Sequence, residues 1–251
     1  MAERRNLFRD PPRLPLVAPS ILSADFARLG EACSHALGPA ADGGAGADLL
    51  HVDVMDGHFV PNLTMGPAIV AGLRRAMPGA FLDVHLMVTD PQQYVGGFAD
   101  AGADHLTFHL EPAVDPRAGA GLAPLSEGYD AVELADRIRE AGMSAGLAVN
   151  PATPVDAVLD IASSFELILI MSVNPGFSGQ RFMEHTLDKT RAVRTAVGDI
   201  VRVQMDGGVA PENAAAVREA GCDVLVAASA VFGAPREARA GVVAELRGAP
   251  E

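Results

Sequence analysis

Two stretches of this chain carry side chains able to do chemistry together: His51-Val52-Asp53-Val54-Met55-Asp56-Gly57 and Leu82-Asp83-Val84-His85-Leu86-Met87. Each is rich in Val and Leu and runs into a polar turn, the pattern of a strand end. Side chains on a strand alternate, so residues two apart point the same way. His51, Asp53 and Met55 therefore share one face, and Asp83, His85 and Met87 share another. Two imidazoles and a carboxylate at the ends of neighbouring strands suit a divalent metal. A further carboxylate opens Asp206-Gly207-Gly208, where the glycines let backbone approach a ligand. His109 and Glu111 repeat the i, i+2 spacing, and we read them as support rather than as a second metal site. Asp83 is expected to orient His85, and Asp56, off the Asp53 face, to cap a loop.

Such residues need a scaffold that brings several strand ends together. Apolar runs predict strands at 16–19, 49–54, 81–87, 105–110, 145–149, 167–171, 201–205 and 224–227. Amphipathic stretches predict helices at 26–37, 68–77, 92–101, 131–141, 155–162, 184–197, 212–220 and 236–246. Pro67, Pro91, Pro154, Pro211 and Pro235 mark helix starts, and Gly102 and Gly221 mark stops. Eight strands alternating with eight helices over 251 residues fit a single-domain α/β (β/α)8 TIM barrel. A doubly wound sheet is the other α/β arrangement, but no GxGxxG follows the first strand. Residues 1–15, with four arginines, read as a flexible arm, and 16–247 as the barrel domain. The Gly/Ala stretch 38–46 reads as a surface insertion, and 112–128 as a long loop.

Composition excludes several classes. A net charge of −13 argues against nucleic acid or an anionic membrane as partner. No apolar run is long enough to span a membrane, and no secretion signal opens the chain. Cys33 and Cys222 form no CxxC pair, which fits reduced thiols and a cytoplasmic protein.

In a barrel the chemistry gathers at the C-terminal ends of the strands. Besides the residues above, that face would carry Ser20, Ser172 and Asn174, the loop Asn174-Pro175-Gly176-Phe177-Ser178-Gly179-Gln180, and Ala228-Ser229. A short helical turn at 228–233 would offer free N–H groups suited to a phosphate. The segment 57–66 is either a lid over the site or a fixed loop.

With these motifs the chain resembles the ribulose-phosphate 3-epimerase family. The resemblance runs from about Val17 to Gly233 and rests on long strings: APSILSADF at 18–26, HVDVMDG at 51–57, LDVHLM at 82–87, MSVNPGF at 171–177 and MDGGV at 205–209. It implies a barrel of the ribulose-phosphate-binding type and a metal-dependent epimerase that inverts C3 of D-ribulose 5-phosphate through an ene-diolate. By position, His51, Asp53, His85 and Asp206 are similar to the metal ligands, with Asp53 and Asp206 as the two acid–base groups. Ser20, His85, Gly176, Phe177, Ser178, Gly179, Asp206, Gly207, Gly208, Ala228 and Ser229 resemble the substrate-binding set. Met55, Met87 and Met171 match residues lining the intermediate. The resemblance further implies one divalent ion per subunit, zinc or iron(II) before manganese or cobalt, a small sugar phosphate as substrate, and a homo-oligomer. Ser178 and Ala228 stand where the family usually has Gly, so both must keep a negative φ.

Inverting a carbon beside a ketone needs a proton taken from one face and another returned to the opposite face. Two opposed carboxylic groups, one ionised and one neutral, meet that need, and a divalent cation stabilises the intermediate's negative oxygen. Three alternatives remain at this level. A 3-epimerase of a hexulose 6-phosphate such as D-allulose 6-phosphate would use the same residues. A phosphosugar lyase would want a strand-end Lys, whereas Lys189 lies in a predicted helix. A non-catalytic sugar-phosphate sensor would be expected to have lost Asp53 or Asp206, and both are present.

Overall fold

The computed structural model describes residues 5–114 and 128–248, so the centre of the long loop expected at 112–128 lies outside it. Its strands are β1 (Leu16–Pro19), β2 (Leu50–Met55), β3 (Leu82–Met87), β4 (His105–His109), β5 (Ser144–Val149), β6 (Leu167–Met171), β7 (Arg202–Asp206) and β8 (Val224–Ala227). All pair in parallel in the order β1-β8-β7-β6-β5-β4-β3-β2, and a bridge from Ser20 to His51 brings β1 to β2. The sheet thus forms a nearly closed (β/α)8 barrel, as the alternating pattern predicts.

The helices are α1 (Leu29–Leu37), α2 (Pro67–Ala76), α3 (Val95–Ala101), α4 (Glu111–Val114), α5 (Ala131–Glu140), α6 (Asp156–Leu159), α7 (Thr186–Val197), α8 (Pro211–Glu219), α9 (Ser229–Phe232) and α10 (Arg239–Arg247). Pro67 and Pro211 occupy first helical positions, where the missing N–H costs nothing. Gly102 ends α3 at φ 87°, a left-handed stop. Several predicted helices are shorter than their patterns. Asp25 and Asp90 each accept a backbone N–H two residues on, so 26–28 and 91–94 start as 3-10 turns. The stretch predicted at 155–162 is a single turn, α6, followed by a 3-10 turn at Ala162–Ser164. The Gly/Ala stretch 38–46 is exposed over 39–43, as expected of a surface insertion, and returns to the core at Ala45.

Alternation divides the core in two. Leu50, Val52 and Val54 of β2 and Leu82, Val84 and Leu86 of β3 belong to the layer packed with the helices. The opposite faces look into the barrel, whose interior is filled by Leu16, Ala18, Phe81, Leu167, Leu169, Val224 and Val226. Here the structure departs from the expected flexible arm. Phe8 is 1% exposed and meets the rings of Phe81 and His105 edge-on at 5.0 and 4.6 Å. Its carbonyl accepts from Arg202 Nε at 3.0 Å, and Arg9 and Arg13 reach Glu166 and Asp48. A lone Phe among arginines has no periodicity to reveal that it plugs the barrel floor. Phe8→Ala is expected to cost about 3–5 kcal/mol, read as a lower urea midpoint with an unchanged slope. A change under about 1 kcal/mol would mean that the segment is not a structural plug.

The floor also repeats one device four times. An acidic residue just before an even strand accepts an N–H from the preceding odd strand and pairs with an Arg from a helix. Asp48 takes Val17 and Arg247, and Asp104 takes Leu82 and Arg74. Glu166 takes Ala145 and Arg139, and Asp223 takes Val203 and Arg194. These partly buried, charge-assisted bonds tie strand pairs to the helical layer at the end away from the chemistry.

Candidate metal centre and cavity

The register of β2 against β3 sets His51 beside Asp83 and Asp53 beside His85. Paired residues on neighbouring strands lie about 5 Å apart, whereas i, i+2 neighbours on one strand lie nearly 7 Å apart. Cross-strand partners therefore win, and the expectation that Asp83 orients His85 is corrected. Asp83 Oδ2 contacts His51 Nδ1 at 2.8 Å and accepts from Gln204 Nε2 at 2.8 Å. His85 Nδ1 instead faces Asp53 Oδ1 at 3.1 Å and Asp206 Oδ2 at 3.8 Å. His51 Nε2 lies 3.3 Å from Asp53 Oδ1 but is buried with no hydrogen-bond partner.

His51, Asp53, His85 and Asp206 thus converge, each offering one ligand atom within 4.8 Å of the others. Three of the pairwise separations, 3.1, 3.3 and 3.8 Å, approach the ~3.3 Å edge expected for four donors around a metal at ~2.0–2.1 Å. Two imidazoles, two carboxylates and a buried nitrogen without a proton partner fit a divalent cation.

Electrostatics drives the two carboxyls apart. Burial, reinforced by the charge of Asp53, pushes Asp206 up to about 7. Burial would raise Asp53 too, but the charge of His51 beside it holds it well below the usual carboxylate range. Burial alone would lower His51, yet Asp53 and Asp83 lift it well above its ordinary value. Burial takes His85 down to about 4. One carboxyl therefore holds a proton near neutrality and the other is bare.

Above the cluster lies a cavity of about 290 Å³. Asp53, Asp206, Met55, Met87 and Met171 line it together with Gly176, Phe177, Ser178, Gly179, Gly207, Gly208, Ala228 and Ser229. Of the site residues expected from sequence, Ser20, His51 and His85 do not line it; all three are fully buried. Ser20 Oγ donates to Asp53 Oδ2 at 2.5 Å from behind. Leu22 and Val173 also line the cavity, and sequence reasoning did not single them out as site residues, whereas Gln180 and Ala230 belong to the loop and the turn already placed on this face. Gln180 Nε2 donates to the Asn174 and Phe177 carbonyls at 2.7 and 2.9 Å, which holds the loop after β6 in shape.

Gly207 and Gly208 adopt φ 120° and 65°, and a Cβ on Gly208 would fall 2.8 Å from the backbone of Gln180 and Phe182. Both conformation and space demand glycine there. No described residue other than glycine has positive φ, so Ser178 and Ala228 meet the condition the sequence set for them. Asp56 caps its loop as expected, accepting N–H groups from His58, Phe59 and Thr89, each at 2.8 Å. The 57–66 segment is tied to the loop after β6 by Asn62 Nδ2, which donates to the Gly176 carbonyl at 2.7 Å.

Comparison with known proteins places the chain. The sequence profile of the Ribulose-phosphate 3 epimerase family matches residues 16–232. A ribulose-phosphate 3-epimerase of Synechocystis sp. is 46% identical over 241 residues, covering 94% of this chain and 96% of that one. One from Escherichia coli is 46% identical over 223 residues, covering 88% and 90%. Among solved structures, KGPDC from Streptococcus mutans in complex with D-R5P superposes with a TM-score of 0.64 at 15% identity, covering 94% of this chain and 97% of that one. That last likeness speaks for the fold alone.

Proposed function

The chain belongs to the ribulose-phosphate 3-epimerase family and is an isomerase, and on that premise we propose that it interconverts D-ribulose 5-phosphate and D-xylulose 5-phosphate, with Asp53 and Asp206 moving the C3 proton. One observation carries the reading. Two carboxyls from β2 and β7 line one cavity, and their surroundings leave Asp206 protonated up to about 7 and Asp53 ionised.

A bare carboxylate can accept the weakly acidic proton beside the ketone while the neutral acid donates one to the other face. Their roles exchange in the reverse direction. Ser20 holds one oxygen of Asp53, which fixes the direction of its free lone pairs. Met55, Met87 and Met171 give the planar intermediate an apolar wall beside both carboxyls. No Lys or Arg lines the cavity among the described residues, so the substrate phosphate falls to neutral donors. Backbone N–H groups around Gly176–Gly179, Gly207–Gly208 and Ala228-Ser229, with the Ser178 and Ser229 hydroxyls, suit it.

His51, Asp53, His85 and Asp206 would hold one divalent cation, and when bound it would act as a Lewis acid on the substrate's developing negative oxygen. Zinc, iron(II), manganese and cobalt all accept such a donor set.

Turnover of ribulose 5-phosphate in deuterated water tests the proposal. Xylulose 5-phosphate should form with solvent deuterium at C3. Turnover of hexulose 6-phosphates alone would reassign the substrate, and no turnover of either class would overturn the reading.

A further inference from the structure

We propose that His109 and Glu111 are positioning residues that set the tautomer of His85, leaving its Nδ1 bare toward the cation; this rests on the metal reading above. His85 Nε2 and His109 Nε2 lie 2.9 Å apart, and His109 Nδ1 lies 3.0 Å from Glu111 Oε2. The chain is sealed from water: His85, His109 and Glu111 are 0%, 1% and 7% exposed. Tyr129 donates its hydroxyl to the His109 carbonyl, and Phe59 packs on the His109 ring at 4.7 Å.

The protons can be counted along this chain. Glu111 Oε1 already accepts from the Asn150 N–H at 2.7 Å and from the Thr153 hydroxyl at 2.5 Å, so Oε2 is left for His109. Burial opposes the charge on Glu111, but these bonds together with His109 hold its carboxyl down at about 2. An anionic oxygen needs a donor, so the His109 proton sits on Nδ1 and its Nε2 is bare. Two facing ring nitrogens need one proton between them, and it must then come from His85 Nε2. A neutral His85 has no second proton, so its Nδ1 presents a lone pair to Asp53 Oδ1 at 3.1 Å. Two lone pairs facing each other repel, and a cation relieves the conflict.

The two imidazoles would thus bind through opposite nitrogens. His51 has its acceptor, Asp83, directly across the strand pair. The cross-strand partner of His85 is Thr107, whose hydroxyl lies 3.0 Å from His105 Nε2. The acceptor for His85 must therefore come from two residues further along β4, through an imidazole that carries the pull of Glu111.

Without His109, the remaining proton of His85 should move to Nδ1, drawn by Asp53, and compete with the cation. The test uses metal-free full-length protein with 15N-labelled histidine. Ring nitrogen shifts report the His85 tautomer, chelator competition reports zinc affinity, and melting curves verify folding. Wild type should show His85 as Nε2–H. His109→Phe should show Nδ1–H and bind zinc about 10–100-fold more weakly, and His109→Gln, which restores an oxygen acceptor, should recover most of the loss. Glu111→Gln, whose amide can donate to His109 and reverse the chain, should fall between them, and it carries the test if His109→Phe does not fold. Weakened zinc binding with an unchanged tautomer, or zinc affinity within about threefold of wild type, would overturn the inference while leaving the metal reading intact. Wild-type protein that binds no zinc would overturn both.

Discussion

Asp206→Asn should lower kcat by about 10³-fold, and Asp53→Asn by a similar factor, both measured at saturating metal. A positioned acid–base group contributes roughly 10²–10⁴-fold, and each of these carboxyls would serve one face of the substrate. The side chains keep their shape, so loss of the proton site is the main change. The sharper expectation concerns exchange. With one base left, each variant should still exchange the C3 proton of one epimer with solvent without completing inversion. The two variants should differ in which epimer exchanges. Epimerisation within about tenfold of wild type in either variant would remove that residue from the mechanism.

Stability of the metal-free protein should move the other way. Asp206 is raised to about 7 when folded, against an unfolded carboxyl near ~3.9. Between those values the native state holds a proton that the unfolded chain has lost, so this group's contribution to stability falls as pH rises from about 4 to 7. Asp206→Asn removes that slope. Metal-free variant at pH 8 should therefore melt no lower than wild type. A clearly lower midpoint would mean that the carboxyl stabilises the folded state.

Stripping divalent metal should abolish turnover, and adding single metals should restore it. The same additions should raise the melting point, because a four-residue site exists in the folded state alone. At 100 times Kd such binding adds about 2.7 kcal/mol, which shifts a domain of this size by roughly 5–10 °C. The pH dependence has a defined sign. Asp206 retains its proton up to about 7, and Asp53 and Asp83 hold a proton on His51 well above its ordinary range. A cation must displace the His51 proton, whereas Asp206 can keep its own on the oxygen turned away from the cation, so apparent affinity should fall as pH drops, by about one power of ten per unit. Chelator competition between pH 6 and 8 measures this. Full activity in rigorously metal-free protein would remove the cation from the mechanism, whatever the affinity.

The four convergent residues were legible because the chemistry sits on strands. Period-two alternation put His51 with Asp53, and Asp83 with His85, on faces that both turn inward. Asp206 was legible because glycines follow it, and Gly207 and Gly208 take the backbone angles that such a pair permits. The five marker prolines stand at or just before helical turns, since a fixed φ and a missing N–H suit a first turn. Helix lengths were less legible. Asp25 and Asp90 compete for backbone N–H groups at close range, which apolar periodicity does not register.

What sequence alone determined, then, was the alternation of elements, the inward faces, and, through long motifs, the family. Only the tertiary structure decided which neighbour each side chain found. Register made Asp83 the partner of His51, barrel closure brought Ser20 onto Asp53, and the reach of β4 put His109 on His85. Phe8 in the floor and the four acidic residues that tie odd strands to the helical layer belong to the same class. The physical reason is range. Periodicity reports which way a side chain points relative to its own backbone, whereas partners separated by tens of residues are chosen by strand register and the closure of the sheet.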